Sequence, residues 1–238
     1  MEHHNPLLTN LKSDHKFITI GEIMLRLTPP NYQKIRMANE FEATYGGSEA
    51  NIALALANLG IDSTFFTVVP NNSIGKSAIR MLRSNDVHCT PVILSTPEET
   101  PTHRLGTYYL ETGYGIRASK VTYDRKHSAI TEYDLSKVDI HALLEGFTWL
   151  HVSGITPALN KTCADFILNC LKVAKEMGLT TCGRMKTTTP RATGRTVFPC
   201  SPATSSRTRY SSTSSSGIPT SSASPAMCAM PTPVPPTL

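Results

Sequence analysis

The last 56 of the 238 residues contain no acidic side chain, and further absences limit what the chain can be. No stretch approaches the roughly 18 consecutive apolar residues of a membrane-spanning helix. The first sixteen residues hold no apolar run longer than Leu7-Leu8, so a signal peptide is not expected either. The six cysteines lack the close-paired spacing of zinc sites and redox dithiols. We therefore expect a reduced, cytoplasmic protein that does not bind membranes.

The charge composition of the chain changes at Cys182. All 18 acidic residues lie at or before Glu176, whereas six of the 23 basic residues follow Cys182. The formal net charge of +5 thus separates into −1 for residues 1–182 and +6 for the rest. Because the excess positive charge belongs to the second part, it does not indicate a nucleic-acid-binding surface on the first.

Composition predicts a different state for each part. Ser, Thr and Pro make up 31 of the 56 residues after Cys182, which leaves too little apolar surface to offset the entropy of ordering. We predict a flexible N-terminus at 1–16, a folded domain at 17–182 and a disordered low-complexity tail at 183–238.

Alternating strand and helix patterns in the first part predict an α/β fold with a largely parallel sheet. The apolar run from Thr64 to Val69 is typical of a strand covered on both faces. The segment from Glu49 to Leu59 is apolar nearly all round, which predicts a buried helix. Short strands within about 23–45 and 90–123 predict a small antiparallel flap, or lid. Ligands of such folds bind at the carboxyl ends of the strands.

A double glycine, Gly46-Gly47, opens the predicted helix that contains Asn51. Paired glycines at a helix N-terminus let backbone amides and a nearby amide side chain approach a ligand closely. The Gly75-Lys76-Ser77 triplet invites a phosphate-loop interpretation, but that motif needs a glycine where Pro70 stands. A surface lysine in the first turn of a helix is the favoured interpretation there.

The pattern Gly-Gly-x-x-x-Asn-x-Ala-x-x-Leu-Ala-x-Leu-Gly over 46–60 resembles the N-terminal signature of the ribokinase (PfkB) family of carbohydrate kinases. Other segments resemble its 2-keto-3-deoxygluconate kinase branch, and the similarity runs from about Phe17 to Cys182. These segments are Gly21-Glu22, Arg104-Leu105-Gly106-Thr107-Tyr108-Tyr109, Tyr123-Asp124-Arg125 and His151-Val152-Ser153-Gly154-Ile155-Thr156-Pro157-Ala158-Leu159.

The resemblance implies a set of sugar-binding residues. The double glycine and the amide would hold hydroxyls, a lid tyrosine would pack on the sugar, a second tyrosine and an arginine would reach the keto-acid end, and an isoleucine would line the pocket. The set is Gly46, Gly47, Asn51, Tyr108, Tyr123, Arg125 and Ile155.

Alternatives that need no ligand remain open for several of these residues. Tyr108 and Tyr123 could be core or edge aromatics, and Arg125 beside Asp124 could form a solvated surface pair. His151, in a buried strand, is better interpreted as a core histidine than as a catalytic one.

The resemblance also implies a ribokinase-like fold truncated at about residue 182, ATP and Mg²⁺ as cofactors, a sugar acid as ligand and a homodimer formed through the lid. The family's Gly-Ala-Gly-Asp motif, which carries the catalytic base, is absent, so we predict no catalytic residue and no metal ligand. The expected function is an ATP-dependent 2-keto-3-deoxygluconate kinase that lacks its catalytic half and is inactive alone. A non-catalytic sugar-binding remnant and a fructokinase- or ribokinase-type kinase are the alternatives.

The pattern stops in the middle of the strand predicted to begin at Leu179, which suggests a reading-frame change in the coding sequence. The other interpretation is a genuine Ser/Thr/Pro-rich tail. If the frame has changed, translating the DNA after the Cys182 codon in the other two forward frames will yield Asp-x-Asn-x-Arg followed by Gly-x-Gly-Asp. Finding neither segment would contradict the hypothesis.

Overall fold

The computed structural model describes residues 15–184. The predicted flexible N-terminus and low-complexity tail lie outside this range, apart from two positions at each border. The strands of the described part are β1 (Phe17–Ile20), β2 (Met24–Thr28), β3 (Glu42–Gly46), β4 (Ser63–Phe66), β5 (Val68–Pro70), β6 (Ile93–Ser95), β7 (Thr107–Glu111), β8 (Lys120–Asp124), β9 (Trp149–Ser153) and β10 (Thr180–Arg184). The α-helices are α1 (Ser48–Asn58), α2 (Ser73–Arg83), α3 (Ala129–Glu132), α4 (Ile140–Leu144) and α5 (Lys161–Glu176), with 3-10 turns at Ile35–Met37 and Leu135–Lys137.

A parallel sheet in the order β10-β9-β1-β4 forms the centre of the fold. In its register Ile18 pairs with both Thr64 and Leu150, and both Ile18 and Leu150 are fully buried. The predicted α/β fold is confirmed. Because the strands are parallel, β1 and β9 end at the same edge of the sheet, where Glu22 and Ile155 follow them.

Helices cover both faces of this sheet. Phe65 and Phe66 are neighbours in β4 but belong to different apolar clusters, since successive strand residues point to opposite faces. One cluster includes the buried side of α5, and the other includes parts of α1 and α2. The sequence predicts that a helix is capped by Asn160 and closed by Gly178. Both ends of α5 are confirmed, because Asn160 accepts a 2.8 Å hydrogen bond from the Cys163 amide and Gly178 follows with a φ of +80°.

The prediction that α1 is buried on all sides was wrong. Glu49, Ala50 and Ala53 are buried, whereas Ile52 and Leu59 are exposed. Only one side of the helix packs against the sheet, and within residues 15–184 nothing covers the other side.

The lid is a four-stranded sheet in the order β3-β2-β7-β8. It is mixed rather than antiparallel, because β2 and β7 run parallel and are joined near their starts by a hydrogen bond from the Leu25 amide to the Gly106 carbonyl. Two of the expected strands also differ. Ile35–Met37 is a 3-10 turn, and β6 pairs with β5 outside the lid.

Other boundaries differ from the predictions in smaller ways. The single strand expected from Thr64 to Val69 is divided into β4 and β5, which pair with different partners. The last strand also extends past Cys182 to Arg184, two residues beyond the predicted border of the domain.

The described helices are short or carry charged side chains. The longest, α5, has 16 residues and includes lysines and acidic residues. No helix within residues 15–184 therefore has the length and hydropathy needed to cross a membrane.

Two neighbouring residues of α5 test the packing of the core. Ile167 is 2% exposed and Leu168 is 51% exposed. We expect Ile167→Ala to lower the free energy of unfolding by about 2–5 kcal/mol, because it opens a cavity in the core. The matched variant Leu168→Ala should change it by no more than about 0.5 kcal/mol. Urea unfolding of the 238-residue chain measures both, and equal losses would contradict the assigned orientation of α5.

Candidate functional site

An open groove of about 880 Å³ lies where β8 and β9 end. Arg125 and His127, from the segment after β8, form one part of its lining, and Gly154 and Ile155, from the segment after β9, form another. The Ile155 side chain is 44% exposed, so it offers apolar surface to the groove.

Arg125 is held from behind by a buried carboxylate. Its Nη2 donates to Oε2 of Glu22, and the two side chains are 19% and 3% exposed. The other carboxylate oxygen of Glu22 accepts a 2.6 Å hydrogen bond from the Ser128 hydroxyl. Burial raises the pKa of Glu22 and the charge of Glu49 adds to the rise, whereas Arg125 and Ser128 oppose it.

A second buried carboxylate, Glu49 in the first turn of α1, ties that helix to the end of β9. Its Oε1 accepts hydrogen bonds from the Ser153 amide at 3.2 Å, from the Ser153 hydroxyl and from the Thr156 hydroxyl at 3.3 Å. Gly21 must lack a side chain here, because a Cβ at that position would collide with the Glu49 carboxyl group. Glu49 thus joins three segments at the edge where the groove opens.

The lid brings two aromatic rings to the same region. Tyr108 and Tyr123 are cross-strand partners in β7 and β8, with ring centroids 5.9 Å apart. Tyr108 is half-buried, and burial raises its pKa, although the nearby Arg26 lowers it. Tyr123 is 59% exposed, and its ring lies 5.7 Å from the Arg125 guanidinium carbon.

The double glycine lies next to this pair of rings. A Cβ on Gly46 would be 2.9 Å from the Tyr108 hydroxyl and 3.9 Å from Oδ1 of Asn51. A Cβ on Gly47 would collide with the backbone carbonyl of Glu22. The packing against Glu22 therefore requires a glycine at position 47, independently of any contact with a ligand.

The seven predicted residues consequently form one connected region. Gly46 lies between Asn51 and Tyr108, and Gly47 lies against the Glu22 backbone. From Tyr108 the contacts continue through Tyr123 to Arg125, which shares the groove with Ile155.

The solvated pair between Arg125 and Asp124 does not form. Asp124 instead pairs with Arg104, with Nη2 2.9 Å from Oδ2, and Arg125 turns inward to Glu22. Successive residues at the end of a strand point to opposite sides, which separates the two neighbours.

The sequence alone assigned no role to Glu22 or Glu49. Glu22 is part of a segment that resembles the family, and Glu49 is an unspecified position of the double-glycine motif. The available signal was a carboxylate just beyond a buried strand and another in the first turn of a helix opened by Gly-Gly. Ser128 and Ser153, their hydroxyl donors, carried no signal of their own.

His151 lies in β9 between Thr19 of β1 and Cys182 of β10 in the register of the sheet. Burial lowers its pKa and favours the neutral ring, while the charge of Glu49 opposes this. These surroundings favour the core-histidine interpretation.

The described residues do not fit the implied Mg²⁺ or the phosphates of a nucleotide. Within residues 15–184, no group of three His, Cys, Asp or Glu side chains is placed to hold a metal ion. At the start of α2, the Asn72 side chain already accepts from the amides of Ile74 and Gly75, and Lys76 is exposed. The phosphate-loop interpretation therefore gains no support.

Comparisons with known proteins place these features in a family. Residues 14–196 match the model of the pfkB family carbohydrate kinases. The chain is 33% identical over 168 residues to a 2-dehydro-3-deoxygalactonokinase of Haloferax volcanii, a match that covers 70% of this chain and 50% of the relative.

Solved structures agree with this assignment. The 2-dehydro-3-deoxygluconokinase of Thermotoga maritima is 42% identical with a TM-score of 0.68, over 72% of this chain and 51% of that one. A sugar kinase of Pyrococcus horikoshii in complex with ATP shares the fold at 18% identity, with a TM-score of 0.60 over 70% of this chain and 52% of that one.

The chain spans about half the length of the relatives it matches. The match to the family model nonetheless covers most of the present sequence, from before β1 to beyond β10. It includes the central sheet, the lid and the groove described above. The chain therefore belongs to the pfkB family of carbohydrate kinases.

Proposed function

We propose that this chain supplies the sugar-binding half of an ATP-dependent kinase for 2-keto-3-deoxy sugar acids, with 2-keto-3-deoxygluconate as the preferred ligand. The observation that carries the proposal is Arg125, a partly buried guanidinium that lines the groove beside two tyrosines and Ile155. The names of two relatives support this ligand class. The Thermotoga protein is named for 2-dehydro-3-deoxygluconate, which is another name for 2-keto-3-deoxygluconate, and the Haloferax protein is named for 2-dehydro-3-deoxygalactonate, an acid of the same class.

The hydrogen bonding of Arg125 favours an acidic ligand over a neutral one. Glu22 accepts from Nη2, while 19% of the Arg125 side chain stays exposed and the residue lines the groove. A guanidinium can bind a carboxylate through two parallel charge-assisted hydrogen bonds. Fructose and ribose offer no charged acceptor for the guanidinium, so a fructokinase- or ribokinase-type function is the weaker candidate.

The remaining predicted residues would contact the rest of the sugar. In this proposal Asn51 and the backbone near Gly46 and Gly47 hold hydroxyls. Tyr108 and Tyr123 pack on the sugar from the lid, and Ile155 covers an apolar part of it.

Phosphoryl transfer depends in this family on a sequence motif that the 238 residues lack. The reaction needs a base near the accepting hydroxyl and donors for the charge that develops. The family motif that would supply them, Gly-x-Gly-Asp, is absent from the 238 residues. ATP and Mg²⁺ would act in the complete enzyme, and we propose that the present chain binds the sugar acid without phosphorylating it.

The binding proposal predicts the effect of changing Arg125. Arg125→Lys keeps a positive charge beside Glu22 but removes the planar fork, so binding of 2-keto-3-deoxygluconate should weaken by about tenfold or more. Calorimetric titration of the 238-residue chain in the absence of ATP measures this. The matched control Arg117→Lys changes an arginine that donates to the Tyr32 and Thr112 carbonyls away from the groove, and it should leave the affinity unchanged. Equal effects of the two variants, or tighter binding of fructose than of the acid, would contradict the proposal.

The catalytic part of the proposal has a separate test. The purified chain, incubated with ATP, Mg²⁺ and 2-keto-3-deoxygluconate, should form no phosphorylated sugar acid, as monitored by phosphorus NMR. ATP-dependent formation of the phosphate ester would contradict it and would show that a base exists elsewhere in the chain.

A further inference from the structure

The Glu22–Arg125 pair places a buried negative charge directly behind the guanidinium proposed to bind the ligand. Glu22 is 3% exposed and follows β1 after Gly21, whereas Arg125 immediately follows β8 of the lid. Only one cation, Arg125, is within ion-pair distance of Glu22 among the described residues. A ligand carboxylate would therefore share the cation that Glu22 already uses.

We propose that Glu22 orients Arg125 for the acid group of the ligand and takes up a proton when that group binds. The inference rests on the proposed function, because it assumes that a sugar acid occupies the groove. No covalent step is involved, and the proton comes from the solvent.

The surroundings of Glu22 favour such a response. Besides Arg125, the ionisable groups within residues 15–184 that interact electrostatically with Glu22 include Glu49 of α1, Arg104 before β7 and Cys163 of α5. Glu49 repels a charge on Glu22, Arg104 stabilises it, and burial raises the pKa of the Cys163 thiol to about 11, which keeps that group neutral. Burial is the largest effect on Glu22, and it raises its pKa above the ordinary 4.5.

A second carboxylate at Arg125 shifts this balance further. The ligand carboxylate adds a negative charge near Glu22, and Arg125 must then stabilise two carboxylates instead of one. Both effects favour the protonated form of Glu22. Because the bound state then holds more protons than the free state, affinity must fall as the pH rises through the pKa of Glu22.

Glu22→Gln separates the two roles assigned to the residue. The amide oxygen can still accept from Arg125, and the Ser128 hydroxyl can turn to accept from the amide nitrogen. The orientation of Arg125 is therefore retained, while the titrating charge is lost. Glu22→Ala removes the anchor as well and should weaken binding of the acid.

The test is calorimetric titration of the full 238-residue chain with 2-keto-3-deoxygluconate, at several pH values and in buffers of different ionisation enthalpy. We expect the wild type to take up a fraction of one proton per ligand and to bind more weakly as the pH rises. Glu22→Gln should take up none, show no pH dependence and bind more tightly than the wild type at pH values above the pKa of Glu22. If Glu22 had a purely structural role, Glu22→Gln and the wild type would take up the same number of protons on binding the ligand.

His127 provides the control, because it lines the same groove and its side chain is exposed. Histidine is a common source of proton uptake near neutral pH. His127→Gln should retain the proton uptake of the wild type. Uptake that disappears in His127→Gln, or persists in Glu22→Gln, would overturn the proposal.

Two further outcomes are decisive. If Glu22→Gln does not fold, Ser128→Ala replaces it, and loss of the hydroxyl donor should move the pH dependence of binding to higher pH. An unchanged pH dependence in Ser128→Ala would overturn the inference.

Binding by the wild type without proton uptake also overturns the inference and leaves the proposed function intact. If the acid does not bind at any pH, both the inference and the proposed function are overturned.

Discussion

Two buried carboxylates, Glu22 and Glu49, constrain the edge of the sheet where the groove opens. A buried carboxylate is costly unless donors surround it, so the segments that supply those donors must meet there. Glu49 binds the end of β9 through hydrogen bonds from Ser153 and Thr156. Glu22 binds the segment after β8 through Arg125 and Ser128. The space for both carboxylates comes from glycines, since a Cβ at Gly21 or Gly106 would meet a carboxylate oxygen.

The same pair joins the central sheet to the lid. Glu22 lies between β1 and β2, and Arg125 directly follows β8, so their contact connects two sheets with separate hydrogen-bond networks. The register of β7 and β8 places Tyr123 opposite Tyr108, and Tyr123 in turn lies over Arg125. Any movement of the lid would therefore change the position of the guanidinium in the groove.

Features set by local sequence could be predicted, and those set by distant partners could not. Asn160 and Gly178 end α5 as expected because capping depends on neighbouring residues alone. The partner of Arg125 was missed because Glu22 lies 103 positions away in the sequence, whereas the adjacent Asp124 offered an obvious alternative. The family resemblance brought together the side chains proposed to face the ligand but assigned no role to the carboxylates behind them.

We have proposed that the guanidinium of Arg125 receives the acid group of the sugar while Glu22 holds it from behind. A crystal structure of the chain with 2-keto-3-deoxygluconate would reveal this arrangement. We expect the ligand carboxylate at charge-assisted hydrogen-bond distance, about 2.7–2.9 Å, from Arg125 nitrogens, with the Glu22 contact retained. A sugar bound with its acid group directed to solvent, or bound away from Arg125, would contradict it.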